Sequence, residues 1–334
     1  MMKLDVHTKN STYPIYLERG VLNRAKELIG EANVFLISDD GVPEKWRTAL
    51  QKQFPDAPMH VIPQGEGSKC FEVLQAVLKD MLDHHLSRKD TVVALGGGVV
   101  GDLSGFAASV YMRGIRYINI PSTMLSMVDS SIGGKTAIDF YGIKNCVGAF
   151  WQPAMVLVDA DVLSTLNPRL LHEGMAESIK MGMTHDAKLF EIFEREDFMD
   201  HMDEIIERSL LVKRGVVARD ERESGERKLL NFGHTYGHAY ESYYELNRYL
   251  HGECVAMGMM TVLKNQELKN RLKKVLDRLQ LPTSCDADKE KICQLVNSDK
   301  KADHGTVTMV QVDELGKGKL ETWDAEMIRK GIGI

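Results

Sequence analysis

Short runs of β-branched and aliphatic residues punctuate the first half of the chain: VFLISDD at 34–40, MHVIP at 59–63, DTVVALGGG at 90–98, IRYINIPST at 115–123 and AMVLVD at 154–159. Helix-like segments separate them. Strands alternating with helices predict a mostly parallel sheet with crossover connections. From about Leu163 the period changes to long amphipathic stretches, LLHEGMAESIKMGMTHDAKLFEIFERE at 170–196 and MDEIIERSLLVKRGVVARDERE at 202–223. Strand signals almost vanish until TVTMVQVD at 306–313. The pattern predicts an α/β fold class, with an N-terminal α/β domain over residues 1–160 and a C-terminal, mainly α-helical domain over 161–334.

Composition narrows the function classes. With 334 residues, 43% hydrophobic and 27% charged, the chain suits two globular domains, each with its own core. No apolar run approaches the length of about eighteen residues that crosses a bilayer. The opening MMKLDVHTKNSTYPIYLERG has no apolar stretch after a basic one, so a cytoplasmic address is expected. Five cysteines, odd in number and without a CxxC pair, argue for reduced thiols and against a thiolate zinc site. A net charge of -6 offers no long-range attraction to nucleic acid or anionic membranes, so an anionic ligand needs a local cluster of Lys and Arg.

The loop ALGGGVVGDLSGF follows a buried-strand run and opens a helix. Gly96, Gly98 and Gly101 fit G-x-G-x-x-G, in which missing side chains let backbone N–H groups approach a pyrophosphate. The acidic ribose reader that ordinarily follows about 20 residues later is absent, since 118–124 reads INIPSTM. Asp102, with Glu66 and Lys69 of the upstream PQGEGSK, are the remaining polar candidates for holding a dinucleotide. In PSTMLSMVDSSIGGKTAIDFYGIKNCVGAF (121–150), Lys135 after two glycines and Lys144 beside Asn145 form a candidate backbone-plus-ammonium cradle for an anion. Asp129 lies six residues before Lys135 and is placed to orient it or to accept from a substrate hydroxyl.

In NFGHTYGHAYE (231–241), His234 and His238 stand one helical turn apart on one face. Glu177 and Lys180 are likewise a turn apart, a spacing that on its own reads as an exposed ion pair. Two histidines and a carboxylate are a suitable set for a catalytic divalent ion with an open position. A third histidine, His251 in YLHGECVAMGM, lies 17 positions past His234. It can return to His234 if the intervening helix ends near Tyr243, because ten helical residues rise about 15 Å and a seven-residue loop spans at most about 25 Å. Two ligand sets stay open on spacing: Glu177 and His234 with either His238 or His251.

Taken in order, GGGVVGDLSGFAAS, YMRGIRYINIPSTMLSMVDSSIGGKTAID, KNCVGAFWQP, HEGMAESIKMG, LLNFGHTYGHAYE and LHGE resemble the 3-dehydroquinate synthases, members of the sugar-phosphate cyclases, from about Ser38 to Lys301. The resemblance implies an N-terminal NAD-binding α/β domain, a helical domain, an active site in the cleft between them, and a homodimer. It implies conversion of a phosphorylated keto acid, 3-deoxy-D-arabino-heptulosonate 7-phosphate, into 3-dehydroquinate and phosphate in the shikimate pathway, with NAD⁺ reduced and reoxidised within one cycle and a divalent metal, Zn²⁺ or Co²⁺. The metal ligands fall by resemblance on Glu177, His234 and His251, leaving His238 for the phosphate. Lys135, Asn145 and Asn231 would join His238 there, with Arg113 from a second subunit and one of Lys300 or Lys301. Lys213 and Arg227 would hold the substrate carboxylate, and Lys180 and Asp129 the ring hydroxyls. For NAD the matching positions are Asp39, Glu66, Lys69, Gly96, Gly97, Gly98, Asp102, Thr123, Lys144 and Thr165, which moves Lys144 from the anion cradle to the cofactor.

Three rivals frame the expectation. Another sugar-phosphate cyclase, acting on a substrate without a carboxylate, is disfavoured by Arg227, since a buried guanidinium facing no anion is costly. A metal-dependent polyol dehydrogenase shares the glycine turn and a carboxylate–histidine metal site but yields net NADH. A nucleotide-sensing module would bind NAD without turnover.

Overall fold

The computed structural model describes residues 1–245, 248–298 and 306–334. Contacts divide the chain into two compact units, Met1–Asn167 with Lys213–Glu221, and Pro168–Val212 with Arg222–Ile334.

Nine strands lie in the first unit: β1 (Met2–His7), β2 (Thr12–Leu17), β3 (Val34–Asp39), β4 (Met59–Ile62), β5 (Thr91–Gly96), β6 (Arg116–Pro121), β7 (Lys135–Phe140), β8 (Ile143–Phe150) and β9 (Met155–Val158). Seven of them form one sheet in the order β1-β2-β9-β6-β5-β3-β4, antiparallel at β1–β2 and parallel elsewhere. Every residue of β3 and β5 is buried, which is why both read as unbroken apolar runs rather than as alternation. The helices of this unit are α1 (Ala25–Ile29), α2 (Glu44–Gln51), α3 (Phe71–Asp83) and α4 (Gly98–Val110). Helix α4 begins two residues after β5 ends, so the glycine turn stands at the carboxyl edge of the sheet, where open α/β sheets hold their ligands.

The strands expected from the apolar runs are present as β3, β4, β5, β6 and β9. The β1–β2 pair and the β7–β8 hairpin were not legible. Pro14 interrupts β2 but lies just before the stretch from Ile15 to Leu17 that pairs with β9, so the parallel ladder loses no donor. The hairpin turns at Tyr141 and Gly142, both at positive φ (48° and 77°), which suits the two-residue loops that match strand twist. Its second strand is largely exposed, so no inward–outward alternation marks it.

The second unit contains α5 (Pro168–Thr184), α6 (Ala187–Glu194), α7 (Met202–Arg219, joining the first unit from Lys213), α8 (His234–Tyr243), α9 (His251–Val262), α10 (Gln266–Arg278), α11 (Lys289–Ser298), the antiparallel pair β10 (Val307–Glu314) and β11 (Lys317–Trp323), and α12 (Ala325–Ile332). The long 170–196 pattern is two helices, because the Asp186 side chain accepts from the N–H groups of Lys188 and Leu189 and starts a new helix there. Helix α8 ends at Tyr243, the stopping point that the return of His251 requires. No helix among the described residues is long and apolar enough to cross a membrane.

Helix α9 approaches α5 and α8 backbone to backbone. A Cβ on Gly252 would sit 1.9 Å from the carbonyl oxygen of Glu173, and one on Gly258 would sit 1.9 Å from that of Gly233. Glycine is therefore a packing requirement at both positions. Gly258→Ala should cost about 3 kcal/mol through overpacking, lowering the melting temperature of chelator-treated protein by about 6–12 °C. Gly67→Ala, in open space, should leave it unchanged. Equal melting temperatures for the two variants would contradict this packing.

Candidate active site

In the first unit the glycine turn is shaped for close approach. A Cβ on Gly97 would lie 3.1 Å from Thr123, and one on Gly98 would lie 3.3 Å from Ser130 Oγ. That hydroxyl is buried and makes no hydrogen bond among the described residues. Thirteen-residue α4 starts at this point and aims its unsatisfied N–H groups and dipole outward. Beside it, buried Lys69 donates to Asp102 Oδ2 at 2.8 Å and to Asn145 Oδ1, with Glu66 Oε1 at 3.5 Å. Burial pushes the Asp102 carboxyl up to about 6, against the pull of Lys69. Asp39, at the end of β3, accepts from the Val42 N–H at 2.9 Å, and burial raises its pKa. Thr165 Oγ1 accepts from Trp46 Nε1 at 2.7 Å. An exposed-edge glycine cradle with an orphaned hydroxyl and carboxylates within the same unit fits a dinucleotide.

Lys144 is exposed on β8, and Lys135 opens β7. Asn145, at positive φ (53°), has its side chain on Lys69, so its amide oxygen is engaged by a cation. Asp129 Oδ1 pairs with Lys213 Nζ at 2.5 Å. Arg113 sits in a tight turn at φ 68°, after Met112 at φ 49°. Lys300 and Lys301 lie outside the described residues.

In the second unit, three helices converge. Glu177 of α5 is fully buried, and its Oε1 stands 3.5 Å from His234 Nε2 and 3.4 Å from His251 Nε2. That oxygen accepts no hydrogen bond among the described residues. The spacing suits a shared ion, since two donors bound to one four-coordinate zinc at about 2.1 Å lie about 3.4 Å apart. The far nitrogen of each ring is tethered: His251 Nδ1 to Glu241 Oε1 at 2.7 Å and His234 Nδ1 to the Phe232 carbonyl at 3.3 Å. Both rings thus present Nε2 to the same point, the usual arrangement behind a metal-ligating histidine. A second grouping, His238 with Glu241 and His251, also brings its donor atoms within 4.8 Å of one another. There the 2.7 Å between Glu241 and His251 is a hydrogen bond, too short for two ligands sharing an ion.

Electrostatics supports the first set. Burial alone would raise the Glu177 carboxyl, but the Lys180 ammonium and the two imidazoles hold it well below the usual carboxylate range. Burial, then the Lys180 charge, keeps His234 neutral with a free lone pair. Burial opposes the charged form of His251, but the neighbouring carboxylates of Glu177 and Glu241 outweigh it and raise the imidazole to about 10. A cation at the convergence would replace that proton. Lys180 bonds to Glu177 Oε2, and both side chains are buried. The exposed ion pair suggested by their spacing is therefore corrected: α5 turns this face to α8 and α9. The donor set fits a divalent ion of the Zn²⁺ or Co²⁺ kind, although three N/O donors do not select between the two.

His238, one turn along α8, is exposed, with its ring centroid 5.4 Å from that of His234. Asn231 Nδ2 donates to Glu223 Oε1 at 2.6 Å, and Glu223 is held at φ 62°. Arg227 is 2% exposed. Sequence reasoning missed Glu241 and Glu173. Glu241 follows His238 by three residues, and Glu173 precedes Glu177 by four, so helical spacing alone marks them as same-face neighbours.

Residues 59–173 match the family model for the N-terminal part of 3-dehydroquinate synthase, and residues 174–302 match the model for its C-terminal part. A 3-dehydroquinate synthase of Clostridium acetobutylicum is 38% identical over 355 residues, covering 100% of both chains. Another from Methylacidiphilum infernorum is 41% identical, covering 94% of this chain and 92% of its own. Among solved structures, a 2-epi-5-epi-valiolone synthase from Streptomyces hygroscopicus with NAD⁺ and Zn²⁺ bound aligns with TM-score 0.86 at 25% identity, over 98% of this chain and 97% of its own. A 2-deoxy-scyllo-inosose synthase complexed with carbaglucose-6-phosphate, NAD⁺ and Co²⁺ shares the fold with TM-score 0.88 at 24% identity, over 99% of both chains. With both halves matched by the paired family models and full-length relatives well above 30% identity, the chain belongs to the 3-dehydroquinate synthase family of carbon–oxygen lyases.

Proposed function

We propose that the chain converts 3-deoxy-D-arabino-heptulosonate 7-phosphate into 3-dehydroquinate and inorganic phosphate, using NAD and one divalent cation. Family membership along the whole chain supports the reaction, and one observation supports the chemistry most directly. A buried carboxylate oxygen faces two tethered imidazoles at the ligand spacing of a single ion. Glu177, His234 and His251 would hold the ion, which would supply Lewis acidity toward a substrate hydroxyl, and bound NAD would supply reversible hydride transfer, so that nothing is oxidised overall.

The side chains then have separable tasks. Glu241 and the Phe232 carbonyl fix the two imidazoles, so the ligand atoms need no rearrangement. Lys180 neutralises the far oxygen of Glu177 and is the group assigned, with Asp129, to the ring hydroxyls. Lys213 and Arg227 hold the substrate carboxylate, Arg227 through a two-pronged contact that lysine cannot copy. Lys135, Asn145, Asn231 and His238 hold the phosphate, joined by Arg113 from a second copy of the chain. Asp39, Glu66, Lys69, Gly96, Gly97, Gly98, Asp102, Thr123, Lys144 and Thr165 hold the dinucleotide. Two domains divide this work, an NAD-binding one ending near residue 160 and a metal- and substrate-binding one after it. The enzyme is a cytoplasmic homodimer that binds neither nucleic acid nor membrane. An odd number of cysteines without a CxxC pair supports the reducing compartment, and a net charge of -6 supports the absence of nucleic-acid and membrane binding.

Purified protein supplied with catalytic NAD⁺ and Zn²⁺ should release phosphate from the heptulosonate phosphate without accumulating NADH. A chelator should slow release at least about a hundredfold, the scale of losing a Lewis acid. Steady net NADH would indicate a dehydrogenase instead, and phosphate release indifferent to chelator would remove the ion from the reaction. Separately, His251→Ala should lose tightly bound metal on gel filtration, whereas His238→Ala should retain it and lose turnover. Equal retention in the two variants would overturn the assignment of His251 as ligand and His238 as substrate group.

A further inference from the structure

Helix α9 starts with His251, so the place of that imidazole is set by how the first turn of the helix is held. Its first N–H groups have no partner within the helix. One, from Leu250 just before the helix, is taken by Glu253 Oε2 at 2.8 Å, and Arg169 pins the same carboxylate through Nε at 2.6 Å and Nη2 at 2.7 Å. The next residue after His251, Gly252, donates its N–H at 2.9 Å to Glu173 Oε2. Glu173 is buried and stands on α5 one turn before Glu177. A single face of α5 therefore carries two carboxylates, one receiving the backbone of the helix and the other facing the ring of its first residue. The close approach of Gly252 to the Glu173 carbonyl leaves no room for the two helices to adjust independently.

We propose that Glu173 is a positioning residue for the metal centre: its hydrogen bond to the Gly252 N–H ties the first turn of α9 to α5 and thereby sets the distance between His251 and Glu177. The inference rests on the reading of Glu177, His234 and His251 as a metal site and adds a residue to it. The tie is a hydrogen bond to a neutral N–H at a fixed reach. Length of the side chain and an acceptor oxygen are what it needs. A carboxamide of the same length can serve, and a carboxylate one methylene shorter cannot span the same gap.

The test compares Glu173→Gln and Glu173→Asp with the unchanged protein, measuring Zn²⁺ affinity by competition with a chromophoric chelator and melting of the metal-free protein in parallel. Glu173→Gln should bind Zn²⁺ within about threefold of the unchanged protein, and Glu173→Asp about 10- to 100-fold more weakly, the range seen when outer-shell partners are lost. A purely structural role would lower the melting temperature of Glu173→Asp without moving its Zn²⁺ affinity, and that result would overturn the proposal. Loss of affinity in Glu173→Gln matching that in Glu173→Asp would overturn it as well, because charge rather than reach would then matter. If Glu177→Ala binds Zn²⁺ with the affinity of the unchanged protein, the metal-site reading itself fails, and that failure is distinguished from failure of the Glu173 tie.

Discussion

One carboxylate oxygen organises the helical unit. Glu177 Oε1 is fully buried, yet two imidazole nitrogens approach it at 3.4 and 3.5 Å without satisfying it as hydrogen-bond donors of ordinary length would. A buried anion unpaired in this way is expensive to fold. Lys180 on the other oxygen offsets part of that cost, and a cation at the convergence would offset the rest. The surrounding structure is arranged so that the donors cannot relax away: each ring is anchored at Nδ1, and the helices that carry them meet backbone to backbone.

That close meeting depends on glycine. Gly233 takes φ 80° at the start of α8, and Gly252 and Gly258 lie where any side chain would collide with a carbonyl of the neighbouring helix. Glycine costs helix propensity in α9, about 1 kcal/mol at each interior position. Burial of Cys254, Val255, Met257 and Met259 on the same helix offsets it. In the α/β unit the same logic operates at the turn after β5, where small residues leave backbone N–H groups exposed at the start of α4. Both units thus spend local stability on letting backbone come close, to a neighbouring helix in one and to a ligand in the other.

Much of this was legible in the chain itself. Fully buried parallel strands announce themselves as apolar runs, so β3, β5, β6 and β9 were readable, and the change to helical periodicity after Leu163 was equally plain. The β7–β8 hairpin was hidden because its second strand is largely exposed and shows no inward–outward alternation, and β2 because Pro14 masks it. At the candidate site, spacing placed His234 and His238 on one face and allowed His251 to return, but it could not choose between the two ligand sets; resemblance to a family did that. Spacing also misread Glu177 and Lys180 as a surface pair, since periodicity reports which residues share a face and not what that face meets. Glu241 and Glu173 escaped notice for a related reason: residues that act on a ligand through another residue carry no motif of their own, only a position one turn away.

The account's central claim is that Glu177, His234 and His251 share one ion. Crystals soaked in Zn²⁺, with diffraction recorded on both sides of the zinc absorption edge, test it directly. The account predicts a single anomalous peak in the helical unit about 2.1 Å from Glu177 Oε1, His234 Nε2 and His251 Nε2. A peak bound instead by His238 and Glu241, with His251 turned toward them, or no peak near Glu177, would contradict it.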